Sequence, residues 1–156
     1  MKELTSRKDI RLKEYDYSQE GYYFITICTK NRECILSKIT CKNNCRGVHC
    51  TSVLTLEGYI VDKYINSMKN IYSNVLIDEY VVMPNHVHLI LIIDKKIDNT
   101  ISKIIQQFKG IVTKELKKSI WQKSFYEHII RNEKEYLKIK EYIINNIANW
   151  DKDRYY

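Results

Sequence analysis

The segment Met83-Pro84-Asn85-His86-Val87-His88-Leu89-Ile90 sets the chain's only proline between two strand-like runs, Val75 to Val82 and His86 to Ile93. Proline presets φ for the first central position of a tight turn, and β-branched, apolar runs on either side of such a turn read as an antiparallel hairpin. That hairpin puts His86 on the first rung of its second strand. Strand side chains alternate faces, so His86 and His88 share one face while Val87 points to the other. Two imidazoles at adjacent same-face positions suit one divalent metal ion. On spacing alone a second reading stays open, in which both histidines decorate a solvated strand face.

Around this hairpin the periodicity assigns the remaining elements. Tyr22 to Thr29, rich in aromatic and β-branched residues, reads as a first strand. Cys34 to Leu56, with the polar Lys42-Asn43-Asn44 stretch and Gly47, reads as a weak hairpin or an irregular excursion. From Glu57 to Ser73, apolar residues at Ile60, Val61, Tyr64, Ile65, Met68 and Ile71 keep helical spacing. Asn99 or Thr100 can cap a second helix running to about Lys118, with Ile101, Ile104, Ile105, Phe108, Val112 and Leu116 as its apolar stripe. Ser124 to Ile130 reads as a last strand and Asn132 to Trp150 as a last helix. The order predicts an α+β fold, a ferredoxin-like or RRM-like antiparallel sheet with helices packed mainly on one face.

With 156 residues and no Gly- or Pro-rich linker, residues 1–156 read as a single domain with a variable excursion around 34–56. The longest apolar stretch, Val87 to Ile93, is too short to span a bilayer, and Met1 to Lys13 lacks an apolar signal core. These features predict no membrane partner and a cytoplasmic location. A net charge of +7 favours a polyanionic partner, and the distribution is sharper than the total. Lys103, Lys109, Lys114, Lys117, Lys118, Lys123 and Arg131 face only Glu115 and Glu127 between Ile101 and Arg131. Such a stripe can track phosphates. Five cysteines, an odd number, argue against a complete disulfide framework, so reduced thiols are expected. Cys41, Cys45, His49 and Cys50 are a further zinc-ligand candidate, although their spacing lacks the two separated pairs of a standard structural site.

Thirteen tyrosines are too many to be functional as a class, so a nucleophile must be chosen by position. At about 100° per residue, Tyr136, Ile139, Ile143, Ile147 and Trp150 share one buried stripe of the last helix. Tyr142 and Asn146 lie at its border, one turn apart. A border tyrosine can pack its ring and present its hydroxyl to a site, or be a plain amphipathic edge residue.

Tyr80-Val-Val-Met-Pro-Asn-His-Val-His-Leu-Ile90, then Trp121-Gln122, then Phe125-Tyr126-Glu127-His128-Ile129-Ile130-Arg131-Asn132, and finally Tyr142 with Asn146 form an ordered series. Together they resemble the tyrosine transposases of the IS200/IS605 type in the HUH nuclease superfamily, most of all the REP-associated branch. The resemblance runs from Arg11 to Trp150, and Cys34 to Cys50 departs from it. It implies a metal-dependent endonuclease and strand transferase acting on single-stranded or hairpin DNA at element ends through a 5′-phosphotyrosine intermediate. It further implies that His86 and His88 hold Mg²⁺ or Mn²⁺, that Tyr142 is the nucleophile, and that Asn146 stands where the family places a third metal ligand, often glutamine. Asn has a shorter reach than Gln. Lys103, Lys109, Lys114, Lys117, Lys118 and Arg131 are the phosphate-contact candidates, and His128 is a candidate support for the site. Relatives are dimers or monomers, and a homodimer in the bacterial cytoplasm, associated with the nucleoid, is the expectation. The alternative is a catalytically silent module that binds hairpin DNA.

Overall fold

Val82 pairs with Val87 across Pro84-Asn85, and the Met83 amide donates to the His86 carbonyl at 2.9 Å, closing the hairpin where the proline predicts it. The structure is a computed structural model and describes residues 15–44, 47–98 and 100–155. The hairpin strands are β4 (Val75–Val82) and β5 (His86–Ile93). They join β1 (Gly21–Cys28) and β6 (Tyr126–Ile130) in an antiparallel sheet of order β4-β5-β1-β6. Helix α1 (Leu56–Ile71) precedes β4 and helix α2 (Ile101–Leu116) links β5 to β6. With the excursion set aside, β1-α1-β4-β5-α2-β6 is the ferredoxin-like split βαβ arrangement.

Alternation along β5 splits its side chains between two cores. Val87, Leu89, Leu91 and Ile93 pack with Tyr23, Ile25 and Ile27 of β1 against Ile60, Val61, Ile65 and Met68 of α1 and Ile101, Ile104, Ile105, Phe108 and Val112 of α2. These helix positions are the apolar stripes read from the sequence, and Thr100 caps α2 as expected, its hydroxyl accepting from the Lys103 amide. Asn99 and the Met1–Lys13 stretch lie outside the described residues. The opposite face carries Phe24, Val81, Met83, Ile90 and Ile130, closed by α3 (Glu133–Ile144) through Ile143, Tyr136 and Ile139.

Helix α3 is tied to the sheet edge by a bulge. Pairing of β4 with β5 shifts register between Ile77 and Glu79, which leaves Asp78 off the ladder. Its carboxylate accepts from the Tyr136 hydroxyl at 2.8 Å and from Lys140 Nζ at 3.2 Å. The last helix is shorter than its periodicity suggests, ending at Ile144 with Asn145 as C-cap. Two adjacent isoleucines followed by Asn145-Asn146 favour termination, since β-branched side chains and asparagine are poor helix formers. A turn and a 3₁₀ segment at Trp150–Lys152 then carry the chain back toward the sheet.

The excursion forms a second, two-stranded sheet, β2 (Ser37–Asn44) with β3 (Gly47–Leu54). Its base meets α1 at Gly58, where a Cβ would lie 1.8 Å from the Leu36 carbonyl oxygen, so only glycine admits this approach. The register sets Cys41 opposite Cys50, and the two form a disulfide. This corrects one expectation and weakens one candidate. Reduced thiols are not found at those positions, and the zinc cluster loses two of its ligands to the disulfide, while Cys45 lies outside the described residues. Spacing alone hid the pairing because it depends on hairpin register. Cys28 and Cys34 are free thiols. No described helix is long and apolar enough to cross a membrane.

Candidate active site

His86 and His88 are fully buried on the α3 face of β5, their ring centroids 4.4 Å apart, so the solvated reading is excluded. Each imidazole is oriented through Nδ1. His86 Nδ1 lies 2.7 Å from Asn85 Oδ1, and Asn85 spends its Nδ2 on the Tyr155 carbonyl at 2.6 Å. An amide oxygen only accepts, so Nδ1 carries the proton and Nε2 keeps its lone pair. His88 Nδ1 lies 2.8 Å from the Thr26 hydroxyl, directly across the β1–β5 ladder. The turn beneath is fixed as well: the Asn85 carbonyl accepts from the Thr29 amide and hydroxyl, and the Pro84 carbonyl from the Leu36 amide.

Burial pushes the His86 imidazole down to about 4, with Asp153 opposing and Arg32 and Arg154 reinforcing the shift. Burial and the neighbouring His86 hold His88 well below the ordinary histidine value. Both rings are therefore neutral at physiological pH, the form that ligates metals.

Tyr142 and Asn146 reach this pair from above. The Tyr142 hydroxyl is 3.2 Å from His88 Nε2 and donates to Asp153 Oδ2 at 3.3 Å. Asn146, 2% exposed, donates Nδ2 to the same Asp153 oxygen at 2.9 Å. Its Oδ1, like His86 Nε2, is buried without a hydrogen-bond partner among the described residues. His86 Nε2 lies 3.9 Å from Asp153 Oδ2, and His86, His88 and Asp153 offer ligand atoms within 4.8 Å of one another. The His86 Nε2 lone pair, the His88 Nε2 nitrogen, one amide oxygen and one carboxylate oxygen thus converge. Two of these polar atoms are buried and unpaired, which costs about 1–3 kcal/mol each unless something binds them. The donor set fits a divalent cation with open positions. Burial pushes the Tyr142 phenol above its usual value, and the charge of Asp153 adds to the shift.

Sequence reasoning missed Asp153. It lies past the end of α3, and only the early stop of that helix returns it to the histidines; no spacing rule connects residue 153 to residues 86 and 88. Tyr155, 4.6 Å from the His86 ring, was missed for the same reason.

The other expected residues are spread more widely. His128 lines the same cleft as His88 and Tyr142, with Nε2 2.6 Å from Glu135 Oε1. Glu135 also caps the start of α3, accepting from the Arg131 amide while its own amide donates to Asn132 Oδ1. The exposed Arg131 side chain borders a separate cleft with Tyr22 and Tyr136. Lys103, Lys114, Lys117 and Lys118 sit on or just after α2, which covers the sheet face opposite the histidines. Lys118 pairs with Glu57 at 2.6 Å. Lys109 turns inward, donating to the Gln122 and Ser124 carbonyls, and burial lowers its ammonium to about 8.

Comparison with known proteins gives a consistent set of matches. A family model described as "Transposase IS200 like" matches residues 17–146. An uncharacterized protein of Haemophilus influenzae is 37% identical, the alignment covering 98% of this chain and 94% of that protein. A putative REP-associated tyrosine transposase of the same organism is 24% identical over 84% of this chain and 72% of its own length. Among solved structures, a REP-associated tyrosine transposase bound to a REP hairpin matches with a TM-score of 0.68 and 26% identity, covering 90% of this chain and 74% of that one.

Proposed function

Because the chain belongs to the IS200-like transposase family, we propose that it is a single-strand DNA endonuclease and strand transferase whose nucleophile is Tyr142. The observation that carries this reading is the Tyr142 hydroxyl held between His88 Nε2 and Asp153 Oδ2, beside two buried, unpaired ligand atoms. His86 Nε2, His88 Nε2, Asn146 Oδ1 and Asp153 are the groups that would hold Mg²⁺ or Mn²⁺. When bound, such an ion polarises a phosphate oxygen and stabilises charge as it develops.

The protein's own groups supply the rest. Asn85 and Thr26 fix the two imidazoles, so the nitrogens facing the site need no rearrangement to bind. A phenol whose pKa is raised by burial does not ionise unaided, and Asp153 Oδ2 is placed to take its proton. The Tyr142 oxygen then bonds to phosphorus as the P–O3′ bond breaks, and the 3′-oxygen leaves with a proton from solvent. The 5′-phosphotyrosine retains the phosphoester, so a 3′-hydroxyl can reverse the step and rejoin DNA without ATP.

Single-stranded or hairpin DNA is the substrate in this reading, as the hairpin-bound relative suggests. Lys103, Lys114, Lys117 and Arg131 serve as outlying phosphate contacts, and the Glu135-bound His128 supports the cleft wall. The setting is the bacterial cytoplasm, at the nucleoid. A homodimer belongs to the same reading, and sedimentation of the purified protein decides it.

The test is incubation with labelled hairpins from the gene's own flanks, with Mn²⁺ or EDTA, followed by a denaturing gel. We expect a Mn²⁺-dependent protein-linked band that is absent in Tyr142→Phe. Binding without such a band, from every flanking hairpin, would leave a hairpin-binding module in place of the enzyme.

A further inference from the structure

Beside Tyr142 and His88 opens a cleft of about 440 Å³ whose wall is completed by Tyr126, His128 and Arg154. Arg154 lies beyond the residues matched by the family model, and so far it has entered only as a positive charge near the histidines. Its guanidinium rests 4.7 Å from the Tyr155 ring centroid and 5.6 Å from that of Tyr126. One donor, Nη2, bonds the Tyr155 hydroxyl at 2.6 Å. Its backbone carbonyl accepts from Arg32 Nη1 at 3.2 Å, which pins the segment. Arg154 forms no ion pair with a carboxylate among the described residues. The acids nearest the cleft are engaged elsewhere: Glu135 with His128 and the Arg131 amide, Asp153 with Asn146 and Tyr142.

An exposed guanidinium lying over two rings, with N–H donors beyond the one given to Tyr155, at the lip of a cleft that also holds Tyr142 and the neutral His88 imidazole, is built to receive an oxyanion. Stacking on two rings limits the side-chain freedom lost on binding. We propose that Arg154 holds a non-bridging oxygen of the phosphate that Tyr142 attacks. The contact strengthens as negative charge builds on those oxygens in the transition state. The proposal rests on the nuclease reading of Tyr142, and it adds a residue that motif comparison does not reach.

Two measurements on the full-length protein test it. The first needs no cleavage: affinity for a fluorescent single-stranded hairpin is followed against salt for wild type, Arg154→Gln and Arg154→Lys. Loss of one phosphate contact lowers the slope of log K on log salt by about 0.7, so Arg154→Gln falls by that amount and Arg154→Lys keeps the wild-type slope. An unchanged slope in Arg154→Gln overturns the proposal, whatever happens to melting temperature or activity.

The second measurement places the contact. Single-turnover adduct formation is compared on a normal scissile phosphodiester and on an uncharged methylphosphonate at the same position. Arg154→Gln should lose roughly 10²–10³-fold relative to wild type on the phosphodiester and far less on the methylphosphonate. Equal losses on both overturn the assignment to the attacked phosphate and make Arg154 an anchor for Tyr155. If wild type forms no adduct on any hairpin, it is the nuclease reading that fails, and the salt slope still reports whether Arg154 binds phosphate.

Discussion

The two faces of the central sheet are built on opposite terms, although β5 belongs to both. Toward α1 and α2 it offers Val87, Leu89, Leu91 and Ile93, all at most 1% exposed and packed into the apolar core those helices cover. Toward α3 it offers His86 and His88, as deeply buried, and there His86 Nε2 and Asn146 Oδ1 have no hydrogen-bond partner among the described residues. The first face is closed and supplies stability. The second carries an uncompensated cost of a kind that persists where a ligand repays it.

The largest test of this contrast uses neighbours on one strand. Leu89→Ala should cost about 2–5 kcal/mol of stability, read by denaturant unfolding, with adduct yield per folded molecule unchanged. His88→Ala should cut Mn²⁺-dependent adduct formation roughly 100-fold or more while shifting the unfolding midpoint much less. Equal loss of stability from both would erase the distinction between the faces.

The faces should also differ in their response to acid. The folded pKa of His86 is depressed, from 6.5 to about 4, so its stabilising contribution is complete above the unfolded value and is lost as pH falls. In EDTA, stability should decline from about pH 6.5 to about pH 4, by up to about 3 kcal/mol from this residue. Urea titrations across that range should find the decline preserved in Leu89→Ala and reduced in His86→Phe. A pH-independent midpoint in wild type would contradict the burial of neutral imidazoles.

A smaller effect is expected at the Asp78 bulge. Asp78→Ala removes the Tyr136 and Lys140 ties of α3 and should cost about 1 kcal/mol globally. Adduct yield should fall further than that loss predicts, because α3 carries Tyr142. The smallest change belongs to the opposite layer: Lys117 caps α2 at φ 54°, a left-handed conformation natural to glycine. Lys117→Gly should stabilise by about 0.5–1 kcal/mol, visible in a thermal melt.

Much of this contrast was legible beforehand. Alternation in His86-Val87-His88 fixed which residues share a face, the proline fixed the hairpin, and three-four spacing fixed the apolar faces of α1 and α2, because these are local consequences of chain geometry. The last helix misled, since Ile147 and Trp150 continue its period past the point where the helix stops, and with that stop went any sight of Asp153 and Arg154. The side of the sheet that the α2 lysines occupy was not legible. A run of like charges reveals that a surface is solvated but not which side of the sheet it occupies, and for Lys109 even solvation was wrong, because a nearby loop presented carbonyls that sequence could not locate.

The alternation along β5 has one more outcome, for the folding of the molecule. A strand slipped by one residue against β1 would turn the imidazoles into the α1–α2 layer and thrust leucine and valine into the polar pocket under α3. Either exchange alone is costly, and the backbone ladder allows neither without the other. The layout that makes the site chemically competent therefore acts as a checksum on strand alignment, so that a copy of this chain with a dry, well-packed interior is also one with its histidines pointing at Tyr142.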